Sequence, residues 1–333
     1  MEGCDVLTCS SSSLDGLLRQ VFERLLLEGS LVRAHQGEFT EAFGACLHLS
    51  DPLARLSRSE VKGKVYSALG EFLWYLSGDT RLQFIDYYIP GRLQKESDDG
   101  VRVRSGYGER LLSWRGVNQL ENVINLLKVS RTSRRAVVQL FDASDITQRF
   151  ASVPCTCSLQ FLARDGRLHM FVTMRSNDAF LGLPHDVFSF TMLQELVARS
   201  LDLELGEYKH CVGSLHLYQD HFEAAKHYLE EGWQDPVCMP SMPTGDPWGS
   251  VNWLRTIEGR IRDTREPEPD IEAADVDEYW KDVARLLLAL RASKEGNATR
   301  LAELKERLHC DAYRTFVMAR LDRAGESQRG GSA

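Results

Sequence analysis

Cys155 and Cys157 stand one residue apart in the stretch SVPCTCSLQF, just after Pro154 and at the mouth of an alternating apolar run. Two cysteines in that setting can hold a metal, cycle as a redox pair, pack in a core, or supply a nucleophile. A C-x-C with no second C-x-C and no nearby C-x-x-H is poor zinc spacing, so no metal site is expected. All eight cysteines (Cys4, Cys9, Cys46, Cys155, Cys157, Cys211, Cys238, Cys310) are scattered rather than framed, and most read as small buried apolar residues. Taken alone, a cysteine leading into a strand is most often a core residue. Its company changes that. Downstream come Arg175, Ser176 and Asp178 in RSNDAFLGLP, then His216, Tyr218 and His221 in GSLHLYQDH; upstream stand Glu71 in GEFLWYLSGDT, Tyr107 in GYGER, and Arg134 and Arg135 in SRR. A thiolate is a soft nucleophile that can also leave again, and a few arginines gathered in one place are enough to bind a phosphate.

Helical spacing of apolar residues predicts helices over 14–28, 60–77 (stopped by Gly78) and 117–129. Strands are predicted over 135–141, 155–163 and 168–175, the last two joined as a hairpin by Asp165-Gly166. A long apolar helix, VFSFTMLQELVARSLDL, and a short strand before residues 216–218 follow. Helices interleaved with an antiparallel hairpin predict an α+β fold, a sheet flanked by helices. Six of the ten prolines (Pro236, Pro240, Pro243, Pro247, Pro267, Pro269) fall in a stretch expected to be irregular. The expected organisation is therefore a catalytic core over 1–233, a proline-rich irregular segment over 234–271, and a helical extension with a polar tail over 272–333, with helices near 272–292 and 297–323.

The 333 residues, 43% hydrophobic and 26% charged, describe an ordinary globular chain. No run approaches the roughly 18 apolar residues of a membrane helix, and the first residues lack a basic leader and a continuous apolar stretch, so a cytoplasmic protein without membrane contact is expected. A formal charge of -8 argues against a nucleic-acid partner but not against a small phosphorylated ligand.

In their order along the chain, GEFLWYLSGDT, GYG, SRR, PCTCSLQF, RSNDAFLGLP and GSLHLYQDH resemble the blocks of the thymidylate synthase family, over roughly residues 15–230. The resemblance implies that family's fold, a 5,10-methylenetetrahydrofolate cofactor and a pyrimidine nucleoside monophosphate substrate. It makes Cys155 the nucleophile that adds to carbon 6 of the ring and leaves Cys157 as packing. Glu71 and Tyr107 would organise the water that removes the carbon 5 proton, and Asp178 would line the pocket where folate and pyrimidine meet. Arg134, Arg135, Arg175 and Ser176 would form the phosphate site. In the family the SRR pair reaches across from a second subunit, which implies a homodimer with shared sites. Arg33 is offered as a mobile phosphate arginine, with a solvated arginine as the equal alternative, and His216 and Tyr218 would bond the sugar.

Asp186 is the most informative departure, because the family has asparagine there, an amide that matches the N–H at uracil position 3 and the carbonyl at position 4. Cytosine reverses both, and a carboxyl that shares a proton matches the reversed edge. Asp186 thus reads as a cytosine selector, the change that marks the cytidylate and deoxycytidylate hydroxymethylase branch; a surface aspartate in a drifted loop is the plain alternative. Thr156 replaces a histidine, Met174 a glutamine, and Ser214 an aspartate. The family's short apolar carboxyl terminus is replaced by helices and a polar tail. The expected activity is 5-hydroxymethylation of CMP, as in nucleoside-antibiotic biosynthesis. The rivals are a phage-type dCMP hydroxymethylase, a thymidylate synthase on dUMP, and an inactive regulatory protein.

Overall fold

The computed structural model describes residues 6–34, 37–59, 64–233 and 235–330. Strands β1 (Leu7–Ser11), β2 (Ser30–Ala34), β3 (Gly37–Leu49), β4 (Val137–Gln139), β5 (Thr156–Arg164), β6 (Arg167–Asp178) and β7 (Glu204–Tyr218) form one sheet in the order β1-β3-β7-β6-β5-β4, with β2 also paired to β3. The sheet is mixed: β1 with β3 and β6 with β7 run parallel, and the other pairs antiparallel. Asp165 and Gly166 both take positive φ, 48° and 75°. That is the two-residue turn whose twist suits a hairpin, and it closes β5 onto β6 with Arg164 opposite Arg167.

The first helix, α1 (Leu14–Glu28), has the predicted bounds. Ser13 caps it by accepting from the Gly16 N–H at 3.1 Å, and Leu14, Leu17, Leu18, Val21, Phe22 and Leu25 are buried beneath β1 and β3. Helix α2 (Val65–Ser77) ends where Gly78 adopts φ 69°, a left-handed cap; the predicted residues 60–63 lie outside the described residues. Short helices α3 (Leu82–Tyr88) and α4 (Tyr107–Leu112) precede α5 (Gln119–Val129). Helix α6 (Leu183–Ser200) starts with Pro184 in its first turn and is buried almost throughout, between the sheet and α2. Its polar residues are paired: Gln194 donates to the carbonyls of Leu168 and Gly206, and Glu195 holds Arg55 at 2.5 Å with both side chains fully buried. Helix α7 (Phe222–Glu230) covers α1.

Three expectations need correction. The amino-terminal strands β1, β2 and β3 are not among the predicted elements, and the strand before residue 218 extends back to Glu204. The proline-rich segment is not irregular throughout, because α8 (Trp248–Arg262) starts just after Pro247 and buries Val251, Leu254, Ile257 and Ile261 at helical spacing. The long helix expected over 297–323 is two, α10 (Ala298–Arg307) and α11 (Asp311–Gly330), packed with α9 (Glu278–Lys294). The break is imposed from outside: the Asp282 carboxylate of α9 accepts from the backbone N–H groups of His309 and Cys310, at 3.0 and 2.8 Å. Helix α11 runs into the expected polar tail as far as Gly330. The result is an α+β fold with a mixed sheet, flanking helices and a helical carboxyl-terminal part. No helix among the described residues is long and apolar enough to cross a membrane.

Candidate active site

A cavity of about 530 Å³ opens where β6 and β7 end and α6 begins, with α2, α4 and the segment 92–96 as its other walls. It brings together Glu71, Tyr107, Cys155, Arg175, Ser176, Asp178, Asp186, His216 and Tyr218. The parallel register of β6 and β7 pairs Asp178 with His216 and Ser176 with Ser214, so residues distant in sequence arrive at one sheet end.

Cys155 sits immediately before β5. The ladder to β6 slips between Thr156 and Ser158, a bulge centred on Cys157, whose carbonyl accepts from the N–H groups of Leu140 and Phe141. Cys157 is half-buried and absent from the cavity wall, whereas Cys155 faces it. Arg175 braces the approach to the nucleophile: Nε donates to the Pro154 carbonyl at 3.0 Å, and Nη2 to the Val153 carbonyl at 3.1 Å and towards Cys155 Sγ at 3.6 Å. Burial pushes the Cys155 thiol up to about 11 against the opposing pull of Arg175, with Glu96 adding to the rise. Thr156 donates from both its N–H and its hydroxyl to Tyr107 Oη, at 3.2 and 2.9 Å. With both lone pairs engaged, that phenol has its own proton to donate.

Two carboxyls of the cavity are pushed apart. Glu71, although burial would raise it, is held below the usual carboxylate range by His185, Arg92 and Tyr75. Tyr75 Oη donates to Glu71 Oε1 at 2.7 Å, and His185 Nδ1 lies 3.1 Å from Oε2. Asp186 is pushed well above the usual range by burial and by the Glu71 charge. One carboxyl is therefore ionised beside another that keeps its proton, an arrangement that separates base from acid.

A relay fixes the second carboxyl. Asn177 Nδ2 donates to Asp186 Oδ2 at 2.8 Å, Asn177 Oδ1 pairs with His210 Nε2 at 3.0 Å, and His210 Nδ1 pairs with Tyr208 Oη at 2.7 Å. Burial lowers His210 to about 3, so its ring is neutral. If Asn177 presents N–H to Asp186, its carbonyl must face His210 Nε2–H, which leaves Nδ1 to accept from Tyr208. Sequence reasoning does not single out Asn177, Tyr208 and His210, nor Tyr75, Arg92 and Glu96. Only Tyr75 carries a signal, four residues after Glu71 on one helix face.

Arg33, Arg134 and Arg135 do not join the cavity of their own chain. Arg33 lies exposed on β2 with Glu38 at 2.8 Å, and the other two are exposed between α5 and β4. Residues 51–244 of this chain match the family model described as thymidylate synthase.

Proposed function

The chain belongs to the thymidylate synthase family, and from that premise we propose that it is a cytidylate 5-hydroxymethylase acting on CMP. The family carries out folate-dependent one-carbon transfer to a pyrimidine nucleotide; the base, the sugar and the product are the proposal. The observation that carries it is the neutral, buried Asp186 held by Asn177. A protonated carboxyl offers an O–H to cytosine nitrogen 3. Its other oxygen accepts from the 4-amino group while still accepting from Asn177, since one carbonyl oxygen has two lone pairs. Uracil presents N–H and C=O at these places, and would need the carboxyl proton on the very oxygen that accepts from Asn177.

The remaining roles follow from position. Cys155 adds to carbon 6, helped by Arg175, which also meets the phosphate together with Ser176. Ionised Glu71, with Tyr107, organises the water that takes the carbon 5 proton. His216 and Tyr218 bond the sugar, and Asp178 stands where base and folate meet. A second cavity of about 360 Å³ shares Arg92, Leu181 and His185 with the first. Its apolar walls, Phe180, Pro184 and Phe316, and its cations, Lys64, Arg92, Arg320 and Arg323, suit the flat body and acidic tail of a folate. When bound, 5,10-methylenetetrahydrofolate supplies the one-carbon unit that joins carbon 5. Helix α11 contributes Phe316, Arg320 and Arg323 to this second cavity.

The same reading includes a cytoplasmic homodimer. Along β5, β6 and β7 buried residues alternate with half-exposed ones, and Phe43 of β3 is 78% exposed. This sheet face supports pairing with a second copy, whose Arg134 and Arg135 would enter the site. Residues 1–233 remain our proposed catalytic core. The deciding experiment incubates the protein with methylenetetrahydrofolate and each of CMP, dCMP, UMP and dUMP, with products identified by mass. A hydroxymethyl adduct on a cytosine nucleotide is expected, with CMP preferred as in nucleoside-antibiotic biosynthesis; preference for dCMP would favour the phage-type reading. A methyl adduct on dUMP would overturn the proposal.

A further inference from the structure

Hydroxymethylation needs a proton acceptor that thymidylate synthesis does not. Once carbon 5 bears an exocyclic methylene, a water must add to it, and that water has to lose a proton. Glu71 is poorly suited to the task. It accepts from Tyr75, faces His185 and is held at the weakly basic end of the carboxylate range.

Of the other carboxyls on the cavity wall, Asp186 keeps its proton and Asp178 accepts from the Phe180 and Leu181 N–H groups, which leaves Glu96. It closes the 3₁₀ turn Gln94–Glu96, and two serines fix it there. Ser105 Oγ donates to its Oε2 at 3.4 Å, and Ser152 Oγ lies 2.8 Å from its carbonyl oxygen and 3.0 Å from Ser105 Oγ. Ser152 stands three residues before Cys155, so the turn that carries Glu96 is tied to the segment that carries the thiol. The two groups feel each other, because Glu96 is among the charges that push the Cys155 thiol up. Burial, with some help from Glu71, raises the Glu96 carboxyl above its ordinary value despite the opposing pull of Arg92. A carboxylate closer to neutrality is the better proton acceptor at working pH.

We propose that Glu96 is the general base of the hydration step, taking a proton from the water that attacks the exocyclic methylene of the nucleotide. The inference rests on the hydroxymethylase reading above. The water oxygen bonds to the methylene carbon as its proton passes to the Glu96 carboxylate. The methylene π electrons shift onto carbon 5 and into the ring. They return to form the carbon 5–carbon 6 double bond as the bond from carbon 6 to Cys155 Sγ breaks, and the thiolate leaves. No oxidant or reductant is required.

The test is a single-turnover reaction of Glu96→Gln with methylenetetrahydrofolate and CMP tritiated at carbon 5. Tritium should leave in a burst of one equivalent per site at no less than the wild-type rate, since Glu71 and Tyr107 are intact and a charge that raises the Cys155 thiol is gone. Hydroxymethyl product should then form about 10²–10⁴-fold more slowly, the usual span for a lost general base. Intact-protein mass should show the nucleotide, with its extra carbon, still attached to Cys155. Glu96→Asp, which keeps a carboxylate but withdraws it, should recover part of the product rate. Wild-type product formation by Glu96→Gln would overturn the inference, as would equal loss of tritium release and product in both variants. If the wild-type protein gave no hydroxymethyl product from any of the four nucleotides, the functional reading itself would fail, which is a separate result.

Discussion

Asn177 donates its side-chain N–H to Asp186 Oδ2 at 2.8 Å, while its carbonyl oxygen pairs with His210 Nε2 at 3.0 Å. The pair links the end of strand β6 to the first turn of α6, and its orientation is set through His210 from Tyr208, two residues earlier on β7. Asp186→Asn replaces a carboxyl matched to an amino group by an amide matched to a carbonyl. Relative turnover on UMP or dUMP must therefore rise against CMP or dCMP, and discrimination in such a buried polar site can reach about 10⁴-fold. Thr156 and His185 also differ from the uracil pattern, so the swap need not be complete. Equal loss on all four nucleotides would assign Asp186 to folding or catalysis instead.

Assembly gives the second prediction. Arg134 and Arg135 lie exposed and outside the cavity of their own chain, where a second subunit could receive them. Mixing an inactive Cys155→Ala protein with an inactive Arg135→Ala protein should restore some turnover through hybrid sites. A demonstrated heterodimer with no recovery would place these arginines outside the partner's site.

The third prediction concerns what anchors α6. Arg55 Nη2 meets Glu195 Oε2 at 2.5 Å with both side chains wholly buried, and Glu195 Oε1 also accepts from the Met242 N–H at 2.7 Å. Arg55→Met leaves a buried carboxylate without its counter-charge and should cost about 3–5 kcal/mol, measured by urea unfolding. Replacing both residues by apolar ones should recover most of that loss. A single variant as stable as wild type would show that the pair contributes little.

How far sequence reaches depends on where the determinants lie. Helix α1, with its Ser13 cap and one apolar face, and the Asp165-Gly166 hairpin are legible because the signals are local. The cavity residues are legible because their blocks keep the family's order. Strand β3 escapes because its alternation is broken by Glu41, by an exposed Phe43 and by Gly44 at φ 82°. The stop between α10 and α11 has no glycine or proline; it is made by Asp282, nearly thirty residues away. Proline count hides α8, since Pro247 precedes the helix rather than interrupting it. The relay through Asn177, His210 and Tyr208 exists only once β6 and β7 lie side by side.

The nucleophile supplies the last prediction. The Cys155 thiol is pushed up to about 11, first by burial, with the Glu96 carboxylate adding like charge, while Arg175 opposes them from 3.6 Å. The thiolate is the reactive form, so alkylation of Cys155 by iodoacetamide in the free protein should be slow near neutrality. It should keep rising past the point where an ordinary cysteine has levelled off, with Cys155→Ala as the blank. Arg175→Ala removes the cation that favours the thiolate at this sulfur. The sign follows: the thiol rises further, and at any fixed pH below the plateau the rate falls in proportion to the thiolate fraction. In turnover Cys155→Ala should be inactive, because the covalent route is gone. Cys157→Ala, off the cavity wall, should cost about 1 kcal/mol of stability and little activity. An alkylation profile that levels off at or below the ordinary cysteine range, or one that Arg175→Ala moves to lower pH, would show that substrate does not meet a protonated thiol.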